Sequence, residues 1–164
     1  MSNDAKLLQD LLSEYAGRTG MGPITLDDAG RCCLLFDDKL SVTLETQPET
    51  GALLMSTELG PVPADGELQF CRQMLEGNHF WRYTGGVGTL ALAPEENPNV
   101  PRHAVLLFQT PLQCLDCATF RNRLADFVDT AEAWMDHLRS FEAPSVPGSA
   151  PLADLWRGSP MLRA

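Results

Sequence analysis

Residues 116–139 constrain the fold more than any other stretch, because their apolar side chains recur at steps of three and four. An α-helix turns once every 3.6 residues, so this spacing places those side chains on one helical face. No Gly or Pro interrupts the stretch, and Asp116 stands where a carboxylate can accept hydrogen bonds from first-turn N–H groups. The pattern predicts a long helix whose apolar face comprises Phe120, Leu124, Phe127, Val128, Ala131, Trp134, Met135 and Leu138.

The opposite face of this predicted helix is charged, so the helix lies on the domain rather than inside it. A helix of about 24 residues is roughly 36 Å long, which is enough to cross a small domain. The residues before it must therefore supply a sheet or other helices for it to cover. Its charged positions are Arg121, Arg123, Asp126, Asp129, Glu132 and Asp136.

The first half of the chain predicts one helix and three strands. Leucines at helical spacing predict an amphipathic helix over residues 4–15, with Gly17 or Gly20 as its stop. Alternating apolar residues on both sides of the Asp37-Asp38 pair predict a hairpin. Residues 52–59 predict a third strand, and the three strands should form an antiparallel meander. The two hairpin strands cover residues 31–36 and 40–45.

The second half predicts a short helix, two strands and the long helix. The short helix covers residues 65–76, with Gly77 past its end, and the strands cover 87–93 and 103–109. The order α-β-β-β-α-β-β-α, with a twisted antiparallel sheet flanked by helices, is typical of an α+β domain. One side of the short helix carries Leu68, Cys71, Met74 and Leu75.

The chain of 164 residues predicts one folded domain, residues 1–140, followed by a tail. Residues 141–164 contain four prolines and little periodicity, so we expect them to be mobile. Leu152, Leu155 and Trp156 form a brief apolar cluster in this tail, for which we expect loose contact with the domain, with docking to another chain as the alternative.

Charge and composition exclude several classes of partner. A net charge of −10 repels phosphate backbones, so nucleic acid is not an expected partner. No run of about 18 apolar residues is present, so we expect no membrane insertion. The N-terminus lacks the basic start and apolar core of a secretory signal. Five irregularly spaced cysteines then predict reduced thiols in a cytoplasm.

The motifs of catalysis are missing from the sequence, and we predict neither an enzyme nor a cofactor. His79, His103 and His137 fall in different elements, without metal-ligand spacing. Cys114 and Cys117 have the spacing of a redox or zinc pair, but a zinc site needs four ligands. We interpret both cysteines as small apolar core residues, and a thiol or zinc enzyme remains the alternative.

Three passages in this order resemble the type III secretion chaperones of the Tir chaperone (CesT/SycE-like) family, class I. They read LDDAGRCCLLFDDKLSVTLE over residues 26–45, LEGNHFW over 75–81, and PLQCLDCATFRNRLADFVDTAEAWMDHL over 111–138. With the predicted order of elements, the resemblance covers roughly residues 4–140. The loop 94–101 and the tail lie outside the minimal family pattern.

The resemblance implies a homodimer in a bacterial cytoplasm, with no catalytic activity. It implies that the dimer binds the non-globular N-terminal region of a secreted effector and keeps it competent for export. The partner would wrap around the dimer in extended form, adding strands to sheet edges and placing apolar side chains in grooves. The alternative within the same fold is a regulatory protein that binds another secretion component.

The resemblance also implies which residues contact each partner. The second helix and the fourth strand are expected to form the dimer contact, through Phe70, Met74, Phe80, Trp81, Leu90 and Leu92. We expect the effector segment to contact Leu8, Leu12, Phe36, Val42 and Leu44.

Overall fold

The computed structural model describes residues 3–81, 83–84, 86, 88–94 and 100–141. Within them the predicted order of helices and strands is confirmed, and so is the α+β class. The α-helices are α1 (Asn3–Thr19), α2 (Glu67–Asn78) and α3 (Cys117–Arg139), and short 3₁₀ helices span His79–Trp81 and Leu112–Cys114. The strands are β1 (Arg31–Phe36), β2 (Leu40–Gln47), β3 (Ala52–Pro61), β4 (Thr89–Leu92) and β5 (His103–Pro111).

The strands form one antiparallel sheet in the order β1-β2-β3-β5-β4. The predicted meander of β1, β2 and β3 is therefore confirmed, and β1 and β4 form the two edges. Helices cover one face of the sheet, with α3 against β3, α1 against β2 and α2 against β4. The other face is more open, as is common in antiparallel sheets.

The hairpin turn between β1 and β2 is as tight as the sequence predicts. Asp37 and Asp38 have φ values of 49° and 55°, and the Lys39 N–H donates to the Phe36 carbonyl at 2.9 Å. Positive φ at both central residues matches the twist of the flanking strands. Aspartate enters this left-handed region more readily than most residues, which explains why the pair occupies the turn.

The apolar face of helix α3 is buried in the core, as its periodicity predicts. The Asp116 carboxylate caps its first turn by accepting from the Thr119 N–H at 2.7 Å, a bond that lowers the pKa of that carboxyl. Phe120 packs edge-on to Tyr15 of α1 at 5.3 Å between ring centroids. Trp134 packs edge-on to Phe70 of α2 at 6.4 Å. Helix α3 therefore joins the two shorter helices through aromatic contacts.

The predicted stop of α1 at Gly20 is confirmed, whereas Gly17 and Gly77 do not end helices as predicted. Helix α1 continues through Gly17 to Thr19, and Gly20 follows with φ of 71°. A glycine inside a helix costs only about 1 kcal/mol, which favourable packing elsewhere in the helix offsets. Gly77 lies inside α2, where a Cβ atom would stand 2.7 Å from Cζ2 of Trp134. The absence of a side chain there lets α2 and α3 approach closely.

The apolar side that the sequence predicts for α2 is buried only in part. Phe70, Met74 and Gly77 are buried, whereas Leu68 and Leu75 are exposed. Both sides of the helix carry apolar residues, and the close approach at Gly77 decides which of them faces α3.

Parts of the sequence-based predictions fall on residues outside those that the structure describes. They include residues 95–99 of the loop before β5 and residues 142–164 of the tail. Among the described helices, none has the length and hydropathy needed to cross a membrane.

Candidate protein-binding surfaces

An apolar surface follows the outer side of α2 and the turn after it. Its members, which we call the α2 patch, expose 55–80% of their surface. A monomeric protein rarely exposes large contiguous apolar area, and where it does, the area marks an interaction site. The α2 patch consists of Leu68, Leu75, Phe80, Trp81 and Tyr83.

The turn that carries the aromatic residues of the α2 patch has an unusual backbone. Phe80 and Trp81 have φ values of 53° and 49°, in the left-handed region that bulky residues rarely adopt. Such strain persists only where surrounding contacts impose it, and it is concentrated at functional sites.

Two anchors hold this turn in place. The side chain of Asn78 accepts from the Leu90 N–H at 2.8 Å and donates to the Leu90 carbonyl at 2.9 Å, which ties the end of α2 to β4. The indole N–H of Trp134 donates to the Tyr83 carbonyl at 3.0 Å, which ties the turn to α3. The exposed aromatic side chains therefore project from a fixed backbone.

A small pocket lies beside the turn, between α2 and α3. Its volume is about 260 Å³, and an imidazole forms part of its wall. That ring, of His137, bonds the Gln73 side chain at 2.8 Å and stacks on Phe70 with centroids 6.1 Å apart. Two aromatic walls and these fixed polar groups make a preformed site for an apolar side chain. We call it the α2–α3 pocket; it is lined by Gln73, Glu76, Tyr83, Trp134 and His137.

The structure divides the six residues predicted for the dimer contact. Phe80 and Trp81 are exposed in the α2 patch, but Phe70, Met74 and Leu90 are buried in the core of the single chain. Leu92 is partly buried against the core. The sequence reasoning missed Leu68 and Leu75 as exposed residues, although their spacing of seven places them on one helical face.

A second accessible surface lies at the β1 edge of the sheet. A groove of about 630 Å³ runs between β1 and the loop before it, and we call it the β1 groove. Gln9 of α1 fixes this loop by donating to the Ile24 carbonyl at 2.9 Å and accepting from the Leu26 N–H at 3.0 Å. Leu35 of β1, on the sheet face opposite to the buried Leu34, is 58% exposed. The groove is lined by Pro23, Ile24, Thr25, Leu26, Asp27, Arg31, Cys32, Cys33, Leu34 and Thr43.

The β1 groove combines one inert thiol with the backbone groups of an edge strand. Burial raises the pKa of the Cys32 thiol to about 11, so this thiol stays protonated and weakly nucleophilic near neutral pH. An edge strand offers backbone N–H and C=O groups to an added strand, and the neighbouring groove offers space for its side chains.

Four of the five residues predicted to contact an effector are inaccessible in the single chain. Leu8, Leu12, Val42 and Leu44 are each 0% exposed and belong to the core. Leu8 and Leu12 lie on the buried side of α1. Val42 and Leu44 lie on the sheet face that α1 and α3 cover, and alternation alone does not reveal which face that is. Phe36, at the end of β1, is partly buried and keeps some accessible surface.

The cysteine pair lies outside both surfaces. Cys117 is buried in the first turn of α3, and Cys114 is exposed in the preceding 3₁₀ turn. In the described part of the chain, no three His, Cys, Asp or Glu side chains are grouped so that they could hold a metal ion. The described residues thus offer no ligand set for the zinc alternative.

Comparison with known proteins identifies relatives that match most of the chain. The profile of the Tir chaperone protein (CesT) family matches residues 10–135. The transcriptional anti-antiactivator ExsC of Pseudomonas aeruginosa is 34% identical over 126 residues, covering 76% of this chain and 80% of ExsC.

Solved structures share the same fold. The crystal structure of the ExsC–ExsE complex superposes with a TM-score of 0.67 at 29% identity, covering 84% of this chain and 97% of that one. The HopA1–SchA chaperone–effector complex gives a TM-score of 0.66 at 18% identity, covering 83% and 98% of the two chains. The Yersinia pestis secretion chaperone SycH, in complex with a fragment of YscM2, gives 0.59 at 22%, covering 77% and 98%. The relatives with this fold include non-catalytic chaperones that bind other proteins.

Proposed function

The chain belongs to the Tir chaperone protein (CesT) family of non-catalytic type III secretion chaperones, and from this premise we propose that it acts as a homodimer in a bacterial cytoplasm. The dimer binds the non-globular N-terminal segment of a secreted effector and keeps that segment competent for export. One observation carries this proposal: exposed apolar side chains lie along α2 and the turn after it, beside the β4 edge of the sheet, and an open groove lies at the opposite, β1 edge. The α2 patch suits a second copy, and the β1 groove suits an extended segment.

The area of the α2 patch supports the assignment to a second copy. A fully exposed aromatic side chain presents roughly 200 Å². At their exposed fractions of 80%, 55% and 61%, Phe80, Trp81 and Tyr83 together present about 400 Å². A standard interface buries about 800 Å² per partner, so these three side chains supply about half of it. Leu68 and Leu75 extend the same surface along α2.

The β1 groove supports the assignment to an extended segment. Ordering each residue of a disordered partner costs about 1–2 kcal/mol of backbone entropy. Apolar burial at about 25 cal/mol per Å² offsets this only if roughly 40–80 Å² is buried per residue. Hydrogen bonds of an added strand lower that requirement. Of the five predicted effector contacts, Phe36 stays in this proposal, next to Leu35 and the groove lining.

A regulatory role is the second candidate, and a specific observation favours it. The relative with 34% identity over four-fifths of its length is a transcriptional anti-antiactivator. In that role the dimer would bind another secretion protein and so control gene expression. The binding surfaces are the same for both candidates, and only the bound protein differs.

Capture of the partner tests the proposal. The chain is purified from its source bacterium with whatever it binds, and the complex is treated with protease. We expect to capture one protein. Its N-terminal segment should be protected from the protease in the complex and should lack a compact fold on its own. A monomer that captures no secretion protein would contradict the proposal.

Deletion of the gene then separates the two candidates. Loss of export of the captured protein, with normal transcription of the secretion genes, indicates an export chaperone. Altered transcription of those genes indicates the regulatory role.

A further inference from the structure

We infer that Phe80 of each copy inserts into the α2–α3 pocket of its partner, so that two reciprocal insertions close the dimer. This inference rests on the proposed homodimer and specifies its contact. The six residues involved are Phe80 on one side and Gln73, Glu76, Tyr83, Trp134 and His137 on the other.

Phe80 has the properties of an anchor residue. Its side chain is 80% exposed, the largest exposed fraction among the exposed large apolar residues of the described chain. Its backbone has φ of 53° and ψ of 27°, and the anchors at Asn78 and Trp134 hold the turn on both sides. A side chain presented from a fixed backbone loses little conformational freedom on binding. Aromatic anchors of this kind dominate binding energy when they fill a pocket.

The pocket matches a phenyl ring in size and chemistry. A cavity of roughly 150 Å³ is enough for benzene, and this pocket holds about 260 Å³. Tyr83, Trp134 and His137 are among its lining residues, and aromatic rings attract one another in edge-to-face and offset arrangements. Phe80 of the same chain is not among the lining residues, so the pocket is open to another ring.

The closeness of anchor and pocket in the chain would allow an assembly that closes at two copies. Tyr83 lines the pocket and lies three residues from Phe80, so anchor and pocket belong to neighbouring parts of the chain. In a two-fold dimer, a contact of one residue with another is repeated with the roles exchanged. An anchor and a pocket in adjacent places can satisfy this rule, and the two insertions then leave no free site for a third copy.

Two variants separate the anchor from the pocket. Phe80→Asn removes the ring but keeps a residue that tolerates positive φ, so the turn is preserved. Glu76→Trp places a large side chain at an exposed position in the pocket wall and fills the pocket. The homodimer of either variant lacks both insertions. A mixed dimer of one Phe80→Asn copy and one Glu76→Trp copy keeps one insertion, because Phe80 of the Glu76→Trp copy can still enter the open pocket of the Phe80→Asn copy.

The experiment measures dimerisation of each variant alone and of an equal mixture, by sedimentation and by native mass spectrometry. Loss of a hot-spot anchor weakens binding about 30-fold. We expect each homodimer to be weaker than the wild type by roughly 1000-fold, and the mixed dimer to be weaker by only about 30-fold. Leu35→Ala, at the opposite edge of the sheet, serves as the control that leaves the dimer intact, and circular dichroism verifies that all variants are folded.

The possible outcomes are distinct. A strong excess of mixed dimer supports reciprocal insertion. A dimeric wild type whose Phe80→Asn variant dimerises equally well, or a mixture with only the statistical share of mixed dimer, would overturn this inference and leave the homodimer standing. A monomeric wild type would overturn the homodimer as well.

Discussion

The two edges of the sheet present apolar surface in different ways. At the β4 edge, the α2 patch displays side chains from a helix and a turn whose backbone is anchored to α3 and β4. At the β1 edge, a strand borders a groove whose far wall is a loop fixed by Gln9. A surface of preset side chains complements another folded surface, whereas a strand edge complements an extended chain. One domain thus offers sites for two kinds of partner.

The largest effect we expect comes from the buried side of α2. Phe70→Ala removes a fully buried ring that contacts Trp134 and Phe141, and should lower the free energy of unfolding by about 3–5 kcal/mol. Urea denaturation at several protein concentrations measures the change. A variant as stable as the wild type but unable to dimerise would mean that Phe70 belongs to the interface instead.

A substitution on the exposed side of α2 should weaken dimerisation and leave the stability of the fold unchanged. Leu75→Asp places a carboxylate in the proposed interface, where desolvation weakens dimerisation by about 2–4 kcal/mol. The fold of the monomer should be unchanged because Leu75 is 69% exposed. Sedimentation equilibrium measures the effect, with Leu35→Asp at the other edge as the matched control. Equal loss of dimer in both variants would erase the distinction between the edges.

Substitution of Gly77 tests the packing that selects the buried side of α2, and substitution of Gly17 in α1 is the comparison. Gly77→Ala brings a methyl group against Trp134 and Leu90, and should destabilise the fold by about 1–3 kcal/mol. Gly17→Ala in α1 meets no atom within 4 Å and should stabilise it by up to about 1 kcal/mol. Thermal denaturation measures both changes. A stabilising Gly77→Ala would show that α2 can move away from α3 without cost.

A substitution at the β1 edge should change only the binding of the effector segment, which we call the client. Leu35→Lys puts a charge on the exposed side of the edge strand, and we expect about tenfold weaker binding of the effector segment with no change in dimerisation. Titration calorimetry with the protected segment measures the affinity, and Leu75→Lys serves as the reciprocal control. Unchanged affinity would place the client elsewhere.

The smallest effect should come from the hairpin that holds the β1 edge in register. Asp38→Gly relieves a positive φ of 55° and should stabilise the fold by about 1 kcal/mol. Denaturant unfolding measures it, and the affinity for the client should stay the same. A destabilised variant would mean that the Asp38 side chain has a role that its backbone does not explain.

The sequence predicts elements better than it predicts which of their faces are covered. Helix α3 has a single apolar face and a capping Asp116, so its burial follows from periodicity. Helix α2 has apolar residues on two sides, and the contact at Gly77 that decides between them joins segments far apart in the chain. Val42 and Leu44 alternate correctly in β2, but alternation is the same whichever face the helices cover.

The binding surfaces at the two edges could be predicted from the sequence only in part, for the same reason. Phe80 and Trp81 were recognisable as a candidate contact through the family resemblance, and both are exposed. The α2–α3 pocket could not be predicted, because Tyr83, Trp134 and His137 come together only when α3 crosses α2. The β1 groove likewise depends on Gln9 of α1 holding a loop that is distant from it in sequence.

Hydrogen exchange of the backbone amides tests the division of the two edges most directly. The purified chain is measured alone at concentrations above and below its dimerisation, and then with its client segment. We predict that dimerisation protects the described amides of residues 67–83 and leaves β1 unchanged, and that the client then adds protection at β1. Client protection confined to α2, with loss of the dimer, would contradict the assignment of one edge to each partner.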